Sequence, residues 1–142
     1  MMVSRRQIPF FTDMDVADSV GEAILASGHK LTRLRDVMLG DTADPVVAAA
    51  CREGGLVLVS HNYRDFRKIS KDLEVANGDF DRLSRIEMGC SQVIGAARFV
   101  AELSLIELEW AKRLADPEGQ GMRIFIGDQI VRVARPPVPK GK

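Results

Sequence analysis

Apolar and polar positions along this chain change rhythm repeatedly, and each change predicts a new element. Residues 7 to 12, "QIPFFT", form a short apolar run that reads as a first strand. Val16, Val20 and Ile24 then recur at helical spacing until Gly28 stops a first helix. "KLTRLR", from Lys30 to Arg35, is mixed in polarity and predicts an edge strand. "ADPVVAAACREGG", residues 43 to 55, predicts a second helix, with Pro45 suited to its first turn and Gly54-Gly55 at its end. Residues 56 to 60, "LVLVS", are apolar except for the last, as in a strand buried on both faces of a parallel sheet. "HNYRDFRKIS", beginning at His61, predicts a loop and short helix, and the polar stretch "SKDLEVANGDFD", residues 70 to 81, is a linker candidate. "LSRIEM", residues 83 to 88, predicts a fourth strand, and residues 91 to 115 one long helix. "MRIFIGDQIVRVA" is two alternating runs about Gly127-Asp128, which predicts a hairpin.

This alternation predicts an α/β fold: an open, mainly parallel sheet flanked by helices, with a C-terminal long helix and β-hairpin. At 142 residues one domain is expected, over residues 1–135, with residues 136–142 a flexible Pro-rich tail. Lys plus Arg and Asp plus Glu are 20 each, so a nucleic-acid partner would have to be drawn by a local basic patch rather than by a global field. Arg33, Arg35, Arg64, Arg67 and Lys68 are candidates for such a patch, although a solvated charged face is the commoner meaning of such residues. Cys51 and Cys90 lie far apart without CxxC spacing, which argues for two reduced, partly buried thiols in a reducing compartment. The start "MMVSRRQIPFF" lacks the apolar core of a signal peptide, and no window reaches the ~18 apolar residues of a membrane span. A soluble, cytoplasmic protein is expected.

In open α/β sheets ligands bind outside the carboxyl ends of the strands, and this orders the polar residues. Asp13 and Asp15 follow strand one, Asp36, Asp41 and Asp44 follow strand two, and His61, Asn62 and Asp65 follow strand three. Carboxylates brought together repel unless a cation neutralises them, and hard oxygen donors favour Mg²⁺ or Mn²⁺. Such an ion generates a hydroxide nucleophile and stabilises phosphoryl charge in phosphodiester hydrolysis. The chain has no P-loop, no GxGxxG and no Ser-His-Asp spacing. Each acid also has an ordinary role open to it: Asp15 and Asp44 as helix N-caps, Asp18 as a first-turn acid, Asp65 as a turn former. His61 has the ordinary role of a loop hydrogen-bonder. Asp13, on the strand side of any cap, is the hardest to explain structurally. The "DMD" of residues 13 to 15 also raises an aspartate-nucleophile phosphatase, but convincing downstream Lys and paired-Asp elements are missing.

The stretch from "FFTDMDVADSVGEAILASGH" through "ADPVVAAA" to "LVLVSHNYRDF", roughly residues 8 to 69, resembles the small PIN-like proteins of bacteria, toxin-type relatives of PIN-domain nucleases. The resemblance implies a parallel α/β sandwich with an acidic Mg²⁺ or Mn²⁺ site that cleaves RNA, often with an antitoxin protein as partner. By position it makes Asp13 the first metal ligand, Asp44 the acid from helix two and Asp65 the acid of the "RDF" turn, with Ser60 orienting a ligand or water. The chain departs from the pattern twice: Asn62 stands where a carboxylate is common, and Met14 where a Glu commonly follows the first Asp. A site with fewer charges binds Mg²⁺ more weakly, so a PIN-like scaffold without catalysis is the rival expectation.

In residues 91 to 115, Phe99, Leu103, Ile106 and Trp110 form one apolar stripe, and Ile94, Ala101, Leu105 and Leu108 another. One stripe suffices to bind a helix to its own sheet. The second is either deep core or a partner surface, and a homodimer through this helix or the neighbouring segment is expected.

Overall fold

A computed structural model describes residues 7–40, 42, 44–61, 82–116, 119 and 121–133, with the backbone alone at position 44. The expectations that fall on Asp41, Asn62, Arg64, Asp65, Arg67, Lys68, the side chain of Asp44, the candidate linker and the C-terminal tail lie outside the described residues.

The chain is α/β, and its described residues place six strands in one sheet. β1 (Pro9–Thr12) leads through α1 (Asp18–Ala26) to β2 (Lys30–Arg33), and α2 (Leu34–Val37) and α3 (Asp44–Gly54) lead on to β3 (Val57–Ser60). β4 (Ser84–Met88) is followed by a 3₁₀ turn (Gln92–Ile94), α4 (Gly95–Ala101), α5 (Leu103–Ala115), β5 (Arg123–Ile126) and β6 (Val131–Val133). The spatial order is β2-β1-β3-β4-β5-β6, parallel throughout except that β6 runs antiparallel to β5.

Side-chain alternation along the strands divides the core into two layers. Phe10, Val57, Val59, Ile86 and Ile124 pack on one face with Val20 and Ile24 of α1, Phe99 of α4 and Ile106 of α5. Phe11 and Leu58 face the other way, against Leu34 of α2 and Val47, Ala48 and Cys51 of α3. β3 is buried at all four positions, as an unbroken apolar run in a parallel sheet requires. β2, at the sheet edge, is exposed or half-buried, which accounts for its mixed polarity.

The distribution of helices over the two faces carries information about hand. From β1 to β2 the chain steps one way along the sheet, and from β2 to β3 the other way, so two connections of one hand must lie on opposite faces. α1 and α3 do. From β4 to β5 the step again runs in the β2-to-β3 direction, yet α4 and α5 pack on the face of α1. The β4–β5 crossover is therefore opposite in hand to the first two, a departure from the nearly universal right-handed rule.

The single long helix expected over residues 91 to 115 is instead three pieces. Glu102 interrupts it with φ −100° and ψ 8°, although neither Gly nor Pro stands there. Tertiary anchoring explains the break. The Arg98 guanidinium donates to the Gly127 and Ile130 carbonyls beside the last two strands and pairs with Glu102 at 3.0 Å, fixing the end of α4 before α5 begins. The first stripe faces inward: Phe99 and Ile106 are buried, while Leu103 and Trp110 pack against the core. Of the second, Ile94 joins the core, but Leu108 is 54% exposed and Ala101 is exposed too.

Candidate functional site

The strand order reverses direction between β1 and β3, because β1 leads on to β2 on one side of the sheet and β3 leads on to β4 on the other. This is the switch point at which open α/β sheets take ligands. Four of the sequence candidates, Asp13, Asp15, Ser60 and His61, lie at these two strand ends.

The loop after β1 is held from several sides. The Asp13 N–H donates to the Val59 carbonyl at 3.0 Å, continuing the sheet one residue beyond β1, and the Asp13 carbonyl accepts from Val16 N–H, closing a turn. The Asp13 carboxylate accepts from the N–H of Met14 at 2.8 Å, which fixes one oxygen and orients the other. Asp15 does not cap α1. The cap position falls on Ala17, which makes no side-chain cap bond, while Asp15 Oδ1 accepts from the His61 backbone N–H at 3.2 Å. A distant partner has taken the carboxylate that local sequence offered to the helix. The Asp15 carbonyl also accepts from the Gln92 side chain at 2.7 Å, so the turn is tied to β3 and to the segment after β4.

Asp18, as expected, lies in the first turn of α1, where it pairs with Arg35 at 3.0 Å. Arg33 packs over Gly21 of the same helix, so both basic residues of this edge that are described lie beside the acids. Ser60 is buried at the end of β3.

The electrostatics centre on Asp13. Cys51, wholly buried on α3 beneath the sheet, has its thiol pushed up to about 12, chiefly by burial and further by the Asp13 charge. The thiol is therefore more deeply buried than expected, and inert. Burial also lowers the His61 pKa, opposed by the Asp15 carboxylate and the Cys90 backbone. Both His61 ring nitrogens are buried and make no hydrogen bond of good geometry among the described residues, although the Cys90 backbone lies near enough to favour the charged ring, which also lies against the Gly95 backbone that opens α4.

The donor set is hard oxygen, with Asp13 and Asp15 on one turn, and this chemistry suits Mg²⁺ or Mn²⁺. Among the described residues no three His, Cys, Asp or Glu side chains group closely enough to hold a metal. Two of the three expected ligands, Asp44 and Asp65, have side chains outside that set, so their approach to Asp13 is not described.

Sequence reasoning missed two polar ties. Asp128, after β5, accepts from Ser91 N–H at 2.9 Å and links the carboxyl ends of β4 and β5. His29 is buried and joins three elements: its Nδ1 accepts from Ile8 N–H at 3.0 Å, and its Nε2 meets Glu107 of α5 at 2.8 Å. A pairing 78 residues apart leaves no mark in local pattern. Among the described residues no helix is long and apolar enough to cross a membrane. No family model, curated protein or solved structure matches the chain.

Proposed function

We propose that this chain is a metal-dependent ribonuclease of the PIN-like toxin type, hydrolysing RNA phosphodiester bonds at the carboxyl ends of β1 and β3. The observation that carries the reading is the position of Asp13: an acid held by backbone bonds at the sheet's switch point, with one carboxylate oxygen already oriented by Met14. Asp13 would hold Mg²⁺ or Mn²⁺ together with Asp44 and Asp65, while Ser60 and Asn62 orient a ligand or the attacking water. The bound ion supplies a hydroxide nucleophile and neutralises phosphoryl charge. Asp15 keeps the turn rigid, so that Asp13 does not reorganise as charge develops. An antitoxin protein would act by covering this edge, and the cytoplasm is the compartment in which two reduced thiols persist.

Purified protein, given single-stranded and structured RNAs with Mn²⁺ or Mg²⁺, should cleave them. Asp13→Asn should keep the fold and lose at least about a hundredfold in rate, because losing several kcal/mol from a phosphoryl-transfer barrier has that effect. Equal cleavage by both proteins would expose a contaminant and end the assignment.

A second reading, a non-catalytic interaction module that associates as a homodimer, is favoured by one observation. Val100 and Leu108, on α4 and α5, are each about half exposed although the helices already bury their inward stripe. Leu108→Lys should then shift a dimer to monomer in light scattering, and identical masses for the two proteins would remove this reading.

A further inference from the structure

A small cavity of about 30 Å³ lies where the carboxyl ends of β1 and β2 meet the first turns of α1, with Asp13, Asp18, Gly21, Arg33 and Arg35 in its wall. It has room for one or two water-sized groups. Two of the basic residues singled out from the sequence stand here, and their situations differ. Arg35 is paired with Asp18 at 3.0 Å. Arg33 is half-buried, and among the described residues its guanidinium has no hydrogen-bond or ion-pair partner, although Asp13 and Asp18 share the cavity with it.

The position of Arg33 is set from two sides. The β1–β2 ladder places it beside Thr12, the residue before Asp13. Its side chain then lies across α1 at Gly21, where a Cβ would stand 2.9 Å from Arg33 Nη2, 3.3 Å from its Nε and 3.1 Å from Leu31 Cδ2. Glycine weakens a helix interior relative to alanine, and the Gly21 backbone does not require it, since only Gly28 and Gly55 among the described glycines have positive φ. The space requires it. Gly21 leaves clear the ground that the guanidinium occupies.

Two ordinary roles do not account for this arrangement. A charge placed only to discourage pairing at the β2 edge has no need to lie over a neighbouring helix. A charge placed only to neutralise the acids would pair with one of them, as Arg35 does. A guanidinium carries five donors in a planar fork that matches the non-bridging oxygens of a phosphodiester, and here the fork lies beside Asp13 with its donors unused by the described residues.

We propose that Arg33 binds a phosphate of the RNA strand beside Asp13, and that Gly21 is the positioning residue that keeps its guanidinium there. The inference rests on the ribonuclease reading above and gives that site its substrate-holding group.

Binding of a fluorescein-labelled RNA decamer of mixed sequence is measured by anisotropy in EDTA at several salt concentrations. Arg33→Gln should weaken binding about tenfold, the usual weight of a charge-assisted hydrogen bond, and reduce the salt slope by about 0.7, the share of one single-strand phosphate. Arg33→Lys should keep the slope and lose part of the affinity, because the charge remains and the fork does not. Gly21→Ala should weaken binding several-fold while melting no lower than the parent, and should have no further effect once Arg33 is Gln. Asp13→Asn should tighten binding, because without a cation that carboxylate repels a phosphate beside it. Arg132→Gln, at the opposite edge of the sheet, removes the same charge and should leave the affinity unchanged.

No binding by the parent protein, unaltered affinity in folded Arg33→Gln and Gly21→Ala, an unaltered affinity in Asp13→Asn, or an equal loss in Arg132→Gln would overturn the proposal. The Gly21 and Lys variants keep the test open if Arg33→Gln fails to fold, as judged by its thermal melt. EDTA holds off metal-dependent cleavage, so the two readings fail separately: binding through Arg33 with no cleavage in Mn²⁺ supports this inference and sinks the ribonuclease, whereas cleavage by Arg33→Gln at the parent's rate and affinity sinks this inference alone.

Discussion

The Asp15 carboxylate accepts the backbone N–H of His61 at 3.2 Å, joining the turn after β1 to the end of β3 across 46 residues. Asp15→Ala should leave that N–H without its partner and lower stability by about 1–2 kcal/mol in urea denaturation, whereas Asp15→Asn keeps an acceptor and should cost less. An alanine variant as stable as the parent would show that the bond contributes nothing to holding the turn.

His61 should make the protein sensitive to mild acid. Burial lowers its folded pKa below 6.5, against the opposing pull of Asp15 and the Cys90 backbone. Between the folded value and 6.5 the unfolded chain binds more protons, so the stability contributed by the neutral ring is complete above 6.5 and is lost as pH falls through that window. Urea midpoints for the wild type and His61→Gln, taken at several pH values on both sides of 6.5, should converge as acid is added. Parallel profiles would contradict the argument.

His29 is worth more to stability than a lone polar residue suggests. With Nδ1 accepting from Ile8, the proton sits on Nε2 and points to Glu107, so one ring ties the start of β1 to α5. His29→Leu would strand a buried amide and should cost about 1–3 kcal/mol from that loss alone. Glu107→Gln retains an acceptor and should cost about 1 kcal/mol or less. A leucine variant that unfolds at the wild-type urea concentration would refute the tie.

Neither cysteine should react while the protein is folded. Cys51 is wholly buried with a thiol near 12, and burial raises Cys90 as well. A disulfide reagent at about pH 8 should label neither, and denaturant should release both. Prompt labelling of Cys51 in the native protein would mean that the α3 layer opens readily.

The sequence was legible wherever burial on the sheet dictated residue type. The unbroken "LVLVS" run marked β3 as central, and the polar admixture of "KLTRLR" marked β2 as an edge. Gly28 and Gly55 marked turns for a physical reason, since both adopt positive φ (84° and 67°) after a helix. Legibility failed where a remote partner outbid a local preference. Asp15 had an N-cap's composition and spacing but went to His61, and nothing near Glu102 announced that Arg98 would be anchored by the Gly127 and Ile130 carbonyls. Asp13 was legible as an acid at the end of a strand. Its Met14 contact and its effect on Cys51 were not, because both depend on how the loop closes in three dimensions.

The central place of β1 has a consequence for biosynthesis. β1 is made before β2 and β3, yet its second neighbour is β3, with Phe10 opposite Val57. At translation speeds of about 5–20 residues per second, that partner emerges roughly 2–10 s after Phe10. Until then Phe10 is covered only from the β1–α1–β2 unit, and Phe11 only by α2 and α3 as they emerge. The charged residues Lys30 and Arg33 on β2 thus protect an unfinished sheet on the ribosome as well as the edge of a finished one.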